Sequence, residues 1–480
     1  MNGCWLRMSS VVAVGALLVL AFVPVAAEAQ VTDGGTGGTG GGVVGGFGTV
    51  SGEQTAGVIV DAQGVLRTRT VADPGGLKAR QIAEQALTTL DPQLSRQSNL
   101  RKISLNRLER AVAAQIAKGE PLTDAMRYLA GLLRVQNVFF YPETNDIVLA
   151  GPAEGFAEDP VGRVRGLGTG RPVLQLQDLA TALRAYPPNG STVGQIRVSI
   201  DPTPEGLARL QRFLKVGPRR FLPGNPKGFA MAMREQLGLQ TVSVNGVSPD
   251  THFAQVLVEA DYRMNLIGIG LERPPVPMST FIEVAKPNAL AGNALVRWFF
   301  VPDYECIRVS EDGLAMQMEG WGVKLVGAQE LVEASGSRRG GDAESRASRV
   351  FCQSFTEQYP KLANREPVYA ELRNLIDMSI VAAFIQQQDY YNQAGWDLGV
   401  LGDETRYSVQ TYPVPKHVQS AVNVVVKGNA LMTPIGGGVD IRPMKALDRK
   451  NWLPDDEGAV AAAQKQLDLP TLPEGQWWWD

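Results

Sequence analysis

Residues 258 to 272, VEADYRMNLIGIGLE, bring Glu259, Asp261, Tyr262 and Arg263 within five consecutive positions. Carboxyl groups beside a guanidinium and a phenol are residue types of acid–base hydrolysis, in which one acid protonates the leaving group and another activates water. On a helix that begins near Asp250, Glu259 and Arg263 share a face as an i,i+4 ion pair, whereas Asp261 lies off that line. A salt-bridged helix face fits this spacing better than two acids on opposite sides of a substrate. Asp303 and Glu305, in VPDYECIRVS at the start of a strand, are a second acidic group with the same shortcoming. Glu259, Asp261, Asp303 and Glu305 are therefore the candidates for a hydrolase acting on peptide or glycan, without forming a motif.

Other chemistry is narrowed by what the chain lacks. His252 and His417 are the only histidines, and there is no HExxH or paired-cysteine spacing, so a zinc site would be mostly carboxylate, which suits zinc poorly. No stretch matches the calcium loop DxDxDG, and no metal is expected. GLGTG, Gly166 to Gly170, has the glycines of a dinucleotide loop, but Arg171 and Pro172 follow where a phosphate-binding helix should open, so no cofactor is expected. A serine nucleophile would lack the GxSxG elbow.

Binding candidates are fewer still. GPRRFLPGNPKGF, Gly217 to Phe229, offers Arg219, Arg220 and Lys227 with aromatics between them as an anion contact; the competing reading is a solvated loop between two helices. Trp477, Trp478 and Trp479 are costly to leave in water and must cover either the protein's own core or a partner or membrane interface. Cys306 and Cys352 are free to pair in an oxidising compartment if the fold brings them together, or else are two buried thiols.

The elements that carry these residues begin after an N-terminal address. Residues 1–29 read as a signal peptide, with Arg7, an apolar run from Val11 to Val23, Pro24, and a small-x-small cleavage site at Ala27 to Ala29. Residues 30–55 form a glycine-rich leader that loses too much backbone entropy on ordering to fold alone. An α/β region is expected over 56–273, an α+β region over 278–470 and a Trp-rich tail over 471–480, with ERPPVP, Glu272 to Pro277, as the interior boundary.

In the first region, AGVIVDAQGVLRTRTV reads as a hairpin around an Asp61 to Gly64 turn, and VQNVFFYPETNDIVLAGPAEGF as a second. Two helices lie between them, Leu77 to Leu90 and LNRLERAVAAQIAKG, the latter capped by Ser104 and stopped by Gly119. QIRVSI and LQTVSV are strands that each lead into a helix, started by Thr203, Pro204 and Glu205 in one case and by Ser248, Pro249 and Asp250 in the other.

The second region reads as strands VRWFFV, YECIRVS, GLAMQME and GVKLVG followed by helices, the longest through PVYAELRNLIDMSIVAAFIQQQDYY with one buried stripe along Leu372, Leu375, Ile376, Ile380, Ala383 and Phe384. YSVQTYPVP and VNVVVKGNALMTPIGGGVDIRP are strand-like, and an Ala-rich helix precedes the tail. The fold class is α+β: hairpins and alternating strand-helix units in the N-terminal half, an antiparallel sheet with a long central helix in the C-terminal half.

Charge and length bound the function. Lys and Arg total 46 against 49 Asp and Glu in 480 residues, so no broad cationic field exists to collect nucleic acid, and after signal cleavage no integral membrane segment is expected. NDIVLAGPAEGF, GRPVLQLQDLATALRA, SIDPTPEGLARLQRFL, YECIRVSEDGLAMQMEG and LRNLIDMSIVAAFIQQQDYYNQAGWD resemble an exported protein family of planctomycete bacteria known as a domain of unknown function. The likeness runs from about Leu105 to about Pro443. It implies a periplasmic, secreted or cell-envelope setting and brings no activity or catalytic residues with it. The expectation is a binding or structural protein with an envelope protein or glycan as partner; the alternative is an envelope hydrolase.

Overall fold

The computed structural model describes residues 54–71, 77–216, 225–286, 294–333, 335, 337–340, 344–427, 429–432, 435–455, 458–466, 473 and 475–480. The expected signal peptide and nearly all of the glycine-rich leader lie outside them. The chain is mixed α+β, as its patterns indicate.

The first hairpin pairs Gln54–Val60 with Val65–Val71. Its turn is closed by the Asp61 carboxylate, which accepts the backbone N–H groups of Gln63 at 3.0 Å and Val65 at 2.9 Å, a local bond that short polar side chains make readily. This hairpin is the edge of a nine-stranded sheet among the described residues. The sheet continues through His417–Gln419, Leu239–Asn245, Ile196–Pro202, Ile435–Ile441, Ala294–Pro302, Val323–Val332 and Arg338–Gly340.

A six-stranded sheet runs Ile307–Val309, Ala315–Met318, Asn137–Tyr141, Asp146–Ala153, Ser98–Ser104 and Trp478–Trp479. Both sheets interleave strands from either side of ERPPVP, and the described residues belong to one compact unit. The expected division into 56–273 and 278–470 is therefore not a spatial one. The prolines of ERPPVP interrupt regular structure locally, but they say nothing about which distant strand completes a neighbour's hydrogen bonds. Nor is the sheet of the C-terminal half purely antiparallel, since Ile435–Ile441 runs parallel to Ala294–Pro302.

Three helices form the buried layer, Leu176–Ala185, His252–Gly268 and Pro367–Gln387. The last starts with Pro at its first position and buries every side chain from Val368 to Ile385, so it is a core helix rather than one with a single buried stripe. In His252–Gly268 every residue but His252 and Gln255 is buried. It lies on the nine-stranded sheet against Ile196–Pro202 and Ile435–Ile441. The latter strand makes room with consecutive glycines, for a Cβ on Gly437 would stand 2.7 Å from Asp261 Oδ1 and 2.9 Å from Asn265 Nδ2.

Two local expectations are corrected. The second strand-helix unit begins at Thr251, whose hydroxyl accepts the Ala254 N–H at 3.2 Å, while Ser248, Pro249 and Asp250 form the preceding turn. The stretch YSVQTYPVP is irregular and only His417–Gln419 beyond it joins the sheet, because prolines at 413 and 415 remove ladder donors. Of the two settings open to the Trp-rich tail, the protein's own core is the one taken: Trp478 and Trp479 pair with Ile103 and Lys102 at the edge of the six-stranded sheet.

Candidate functional site

A cleft of about 800 Å³ opens beside the N-terminus of the His252–Gly268 helix. Gly57, Val58 and Arg69 of the first hairpin line one side, and residues 158–164 another. Residues of 116–128, Gln175 and Gln177 at the start of Leu176–Ala185, and the irregular stretch from Arg406 to Tyr412 complete it.

His252 owes its place in this cleft to the Thr251 cap, which makes it the first residue of the helix. Its Nδ1 lies 2.8 Å from Asp178 Oδ2 and 3.1 Å from Oδ1, and Asp178 sits in the first turn of the neighbouring helix. Asp178 therefore holds Nδ1 and leaves Nε2 as the nitrogen available to a ligand. The Tyr412 ring stands 5.7 Å from the imidazole, centroid to centroid, and its hydroxyl accepts Gln177 Nε2 at 3.2 Å. Burial opposes charge on the ring, but the Asp178 carboxylate, with help from Glu371, outweighs it and holds the His252 pKa above its ordinary value.

Beneath the cleft runs a buried charge network. Arg163 donates to Glu259 Oε2 at 2.5 Å and to Glu371, so one guanidinium from the 158–164 loop joins the two buried helices. Arg263 lies 3.6 Å from Glu259, 2.7 Å from Glu272 and 2.9 Å from Glu366. Burial pushes the Glu371 and Glu272 carboxyls up, with Arg163 and Arg263 respectively opposing it. For Arg163 and Arg263 burial works against the charge and the surrounding carboxylates prevail, raising both guanidiniums. The expected i,i+4 pair of Glu259 with Arg263 exists, but in the interior rather than on a solvated face.

The four carboxylate candidates do not converge. Glu259 is in the cleft wall and committed to Arg163. Asp261 is fully buried, bonded to Asn265 Nδ2 at 3.0 Å beneath the glycine strand. Burial, followed by the nearby Asp201 carboxylate, holds its carboxyl well above the usual range. Asp303 pairs with Lys324 at 2.7 Å and Glu305 is exposed, and neither lines the cleft.

Among the binding candidates, Arg219 and Arg220 lie outside the described residues, and Lys227 is exposed in the first turn of Pro226–Leu237, away from the cleft lining. Trp477 and Trp479 are buried in the protein's own core, and Trp478 stacks with the buried Arg101 guanidinium at 4.7 Å from its ring centre. Asp480 holds Arg101 with both oxygens, at 2.8 and 3.1 Å. Cys306 and Cys352 are both free and buried. Their charged surroundings differ, Asp377 and Asp303 for one and Glu344 for the other, and burial pushes the Cys306 thiol up to about 12.

GLGTG does hold an anion, but one of its own chain. Thr169 donates its N–H at 2.9 Å and its hydroxyl at 2.6 Å to Glu154 Oε1, and a Cβ on Gly166 would collide with that carboxylate at 1.8 Å. Among the described residues no group of three or more His, Cys, Asp and Glu could hold a metal, and no helix is long and apolar enough to cross a membrane.

Sequence reasoning did not find Asp178 or Arg163, which lie 74 and 96 positions from their partners. Only the TH step after SPD, with Thr251 as an alternative cap, could have marked His252 as a helix-start residue.

A family model described as a protein of unknown function (DUF1598) matches residues 198–281. The chain thus carries a domain of unknown function, and the matched stretch includes His252, Glu259, Asp261 and Arg263. No curated protein and no solved structure matches the chain.

Proposed function

We propose that the protein is an exported protein of the bacterial cell envelope, periplasmic or secreted, that binds a ligand in the cleft beside His252. The observation that carries the binding reading is the cleft itself, whose wall combines tyrosine rings, side-chain amides and a few charged groups, the make-up of a specific recognition site. Export is supported by the apolar run from Val11 to Val23 and the small-x-small site ending at Ala29, and the planctomycete envelope setting by the resemblance given above.

Cell fractionation with sequencing of the mature N-terminus tests export; a mature chain starting at Gln30 is expected, and a cytoplasmic full-length chain refutes it. A ligand screen on the full chain, repeated with the cleft plugged by Gln255→Trp, tests binding. Ligands that ignore the plug refute the cleft.

A second reading, an envelope hydrolase, is favoured by one observation, the Asp178–His252 pair facing the cleft. His252 Nε2 is then the proton acceptor for an attacking water. Turnover of a peptide or glycan substrate that survives His252→Gln unchanged removes this reading.

A further inference from the structure

We propose that the ligand of this cleft is an oligosaccharide, recognised through its hydroxyls by the Gln177–Tyr412–His252 cluster and through its ring faces by the tyrosines. The inference rests on the binding reading above and names the chemistry of the ligand.

Donors and acceptors are interleaved at this wall. Gln177 Nε2 donates to Gln175 Oε1 at 2.6 Å and to the Tyr412 hydroxyl at 3.2 Å, which leaves the Tyr412 hydrogen to donate outward. His252 Nε2 and the Gln255 and Gln410 amides add further polar atoms to the same lining. An apolar ligand would leave the Tyr412 hydroxyl and the imidazole without partners. A sugar hydroxyl both donates and accepts, and so can satisfy either kind of atom.

The charges at the mouth are mixed. Arg69, Arg127 and Arg406 are exposed, and Glu120 and Glu158 are exposed beside the same opening, so the rim carries both signs. Tyr128, Tyr407 and Tyr412 add flat, half-apolar surfaces of the kind that cover a pyranose face while the phenol tip stays polar.

A peptide is the natural rival, because the hairpin strand Gln54–Val60 is a sheet edge and strand addition would supply main-chain bonds. That edge is broken where it meets the cleft. The pairing register shifts between Thr55 and Val58, and Gly57 has φ +129°, a bulge that denies an incoming strand a regular ladder.

The test uses calorimetric titration of the full chain with cellotetraose, chitotetraose and mannotetraose, and with tetra-alanine as the peptide probe. At least one tetrasaccharide is expected to bind, with Tyr412→Ala and Gln255→Trp each weakening it at least tenfold. Gln255→Trp serves as the second variant because its position is only half-buried, and a circular dichroism melt shows that it is folded. Tetra-alanine binding with all three saccharides silent overturns the saccharide class, and the cleft reading survives if Gln255→Trp abolishes that binding. Saccharide binding that Gln255→Trp leaves unchanged overturns both. Silence of every probe overturns the saccharide class.

Discussion

Replacing Arg163 with methionine removes the guanidinium that Glu371 contacts and leaves Glu259 with only the more distant Arg263, at 3.6 Å. Glu259 and Glu371 are 5% and 7% exposed, on two different buried helices, and Arg163 contacts both. Breaking a buried pair from one side costs about 3 to 5 kcal/mol, because the remaining charge keeps its desolvation penalty without its partner. Here two charges remain, and they repel each other, since Glu259 already raises Glu371. One can escape by taking a proton, so the loss at pH 7 is expected at about 3 to 5 kcal/mol and should shrink toward pH 5.

Converting the carboxylates as well, in Arg163→Met with Glu259→Gln and Glu371→Gln, removes the charges together and should return stability to within about 1 kcal/mol of the parent, as for other buried ion clusters. Arg263 keeps Glu272 and Glu366 in that variant. Urea unfolding followed by tryptophan fluorescence at pH 5 and pH 7 reads the result, with midpoint and slope both compared. A loss below about 1 kcal/mol in the single variant, or a triple variant no more stable than the single one, would show that Arg163 does not hold the two helices together.

Four further outcomes follow from the geometry. Asp261 has a raised pKa in the fold, so the folded state binds the extra proton and stability falls as pH rises from the unfolded value near 3.9 through the folded one, by at most about 1.4 kcal/mol per pH unit. Asp261→Asn should flatten that slope in urea titrations, and an unchanged slope assigns it to other groups. His252 behaves with the opposite charge sense: its pKa is raised by Asp178, so the pair stabilises fully below about pH 6.5 and the gain is lost as pH climbs through the folded value. The stability difference between parent and Asp178→Asn should narrow over that range, and a constant difference refutes the pairing.

Gly437→Ala places a methyl within 2.5 Å of the Trp298 carbonyl and 2.7 Å of Asp261; a loss of about 2 kcal/mol or more is expected in thermal melts, and a neutral effect would mean that helix and strand can separate. Asp480→Asn weakens the hold on the buried Arg101, but Asp480 is itself 37% exposed, so about 1 kcal/mol is expected, and a loss above about 3 kcal/mol would contradict that screened geometry.

Much of this protein was legible one element at a time. The hairpin at Asp61, the helix capped by Ser104, the strands VRWFFV and GVKLVG, and the α+β class all follow from signals within a few residues of the structure they specify. The same local logic set aside GLGTG as a phosphate loop, and in the fold that loop holds the Glu154 carboxylate.

What the tertiary structure alone decided is which of these pieces meet. Glu259 and Arg263 look the same in sequence on a solvated face or in a core. Their burial is set by Arg163, Glu272 and Glu366, which reach them from other segments, while the opposite side of the same helix settles on the sheet where Gly437 makes room for Asp261 and Asn265. The cleft is assembled from stretches between Gly57 and Tyr412 that lie far apart in the chain, and its Asp178–His252 pair spans two helices. Periodicity and capping report the energetics of neighbours along the chain. Ion pairs, shared sheets and a cavity depend on distances between segments that only the folded packing sets.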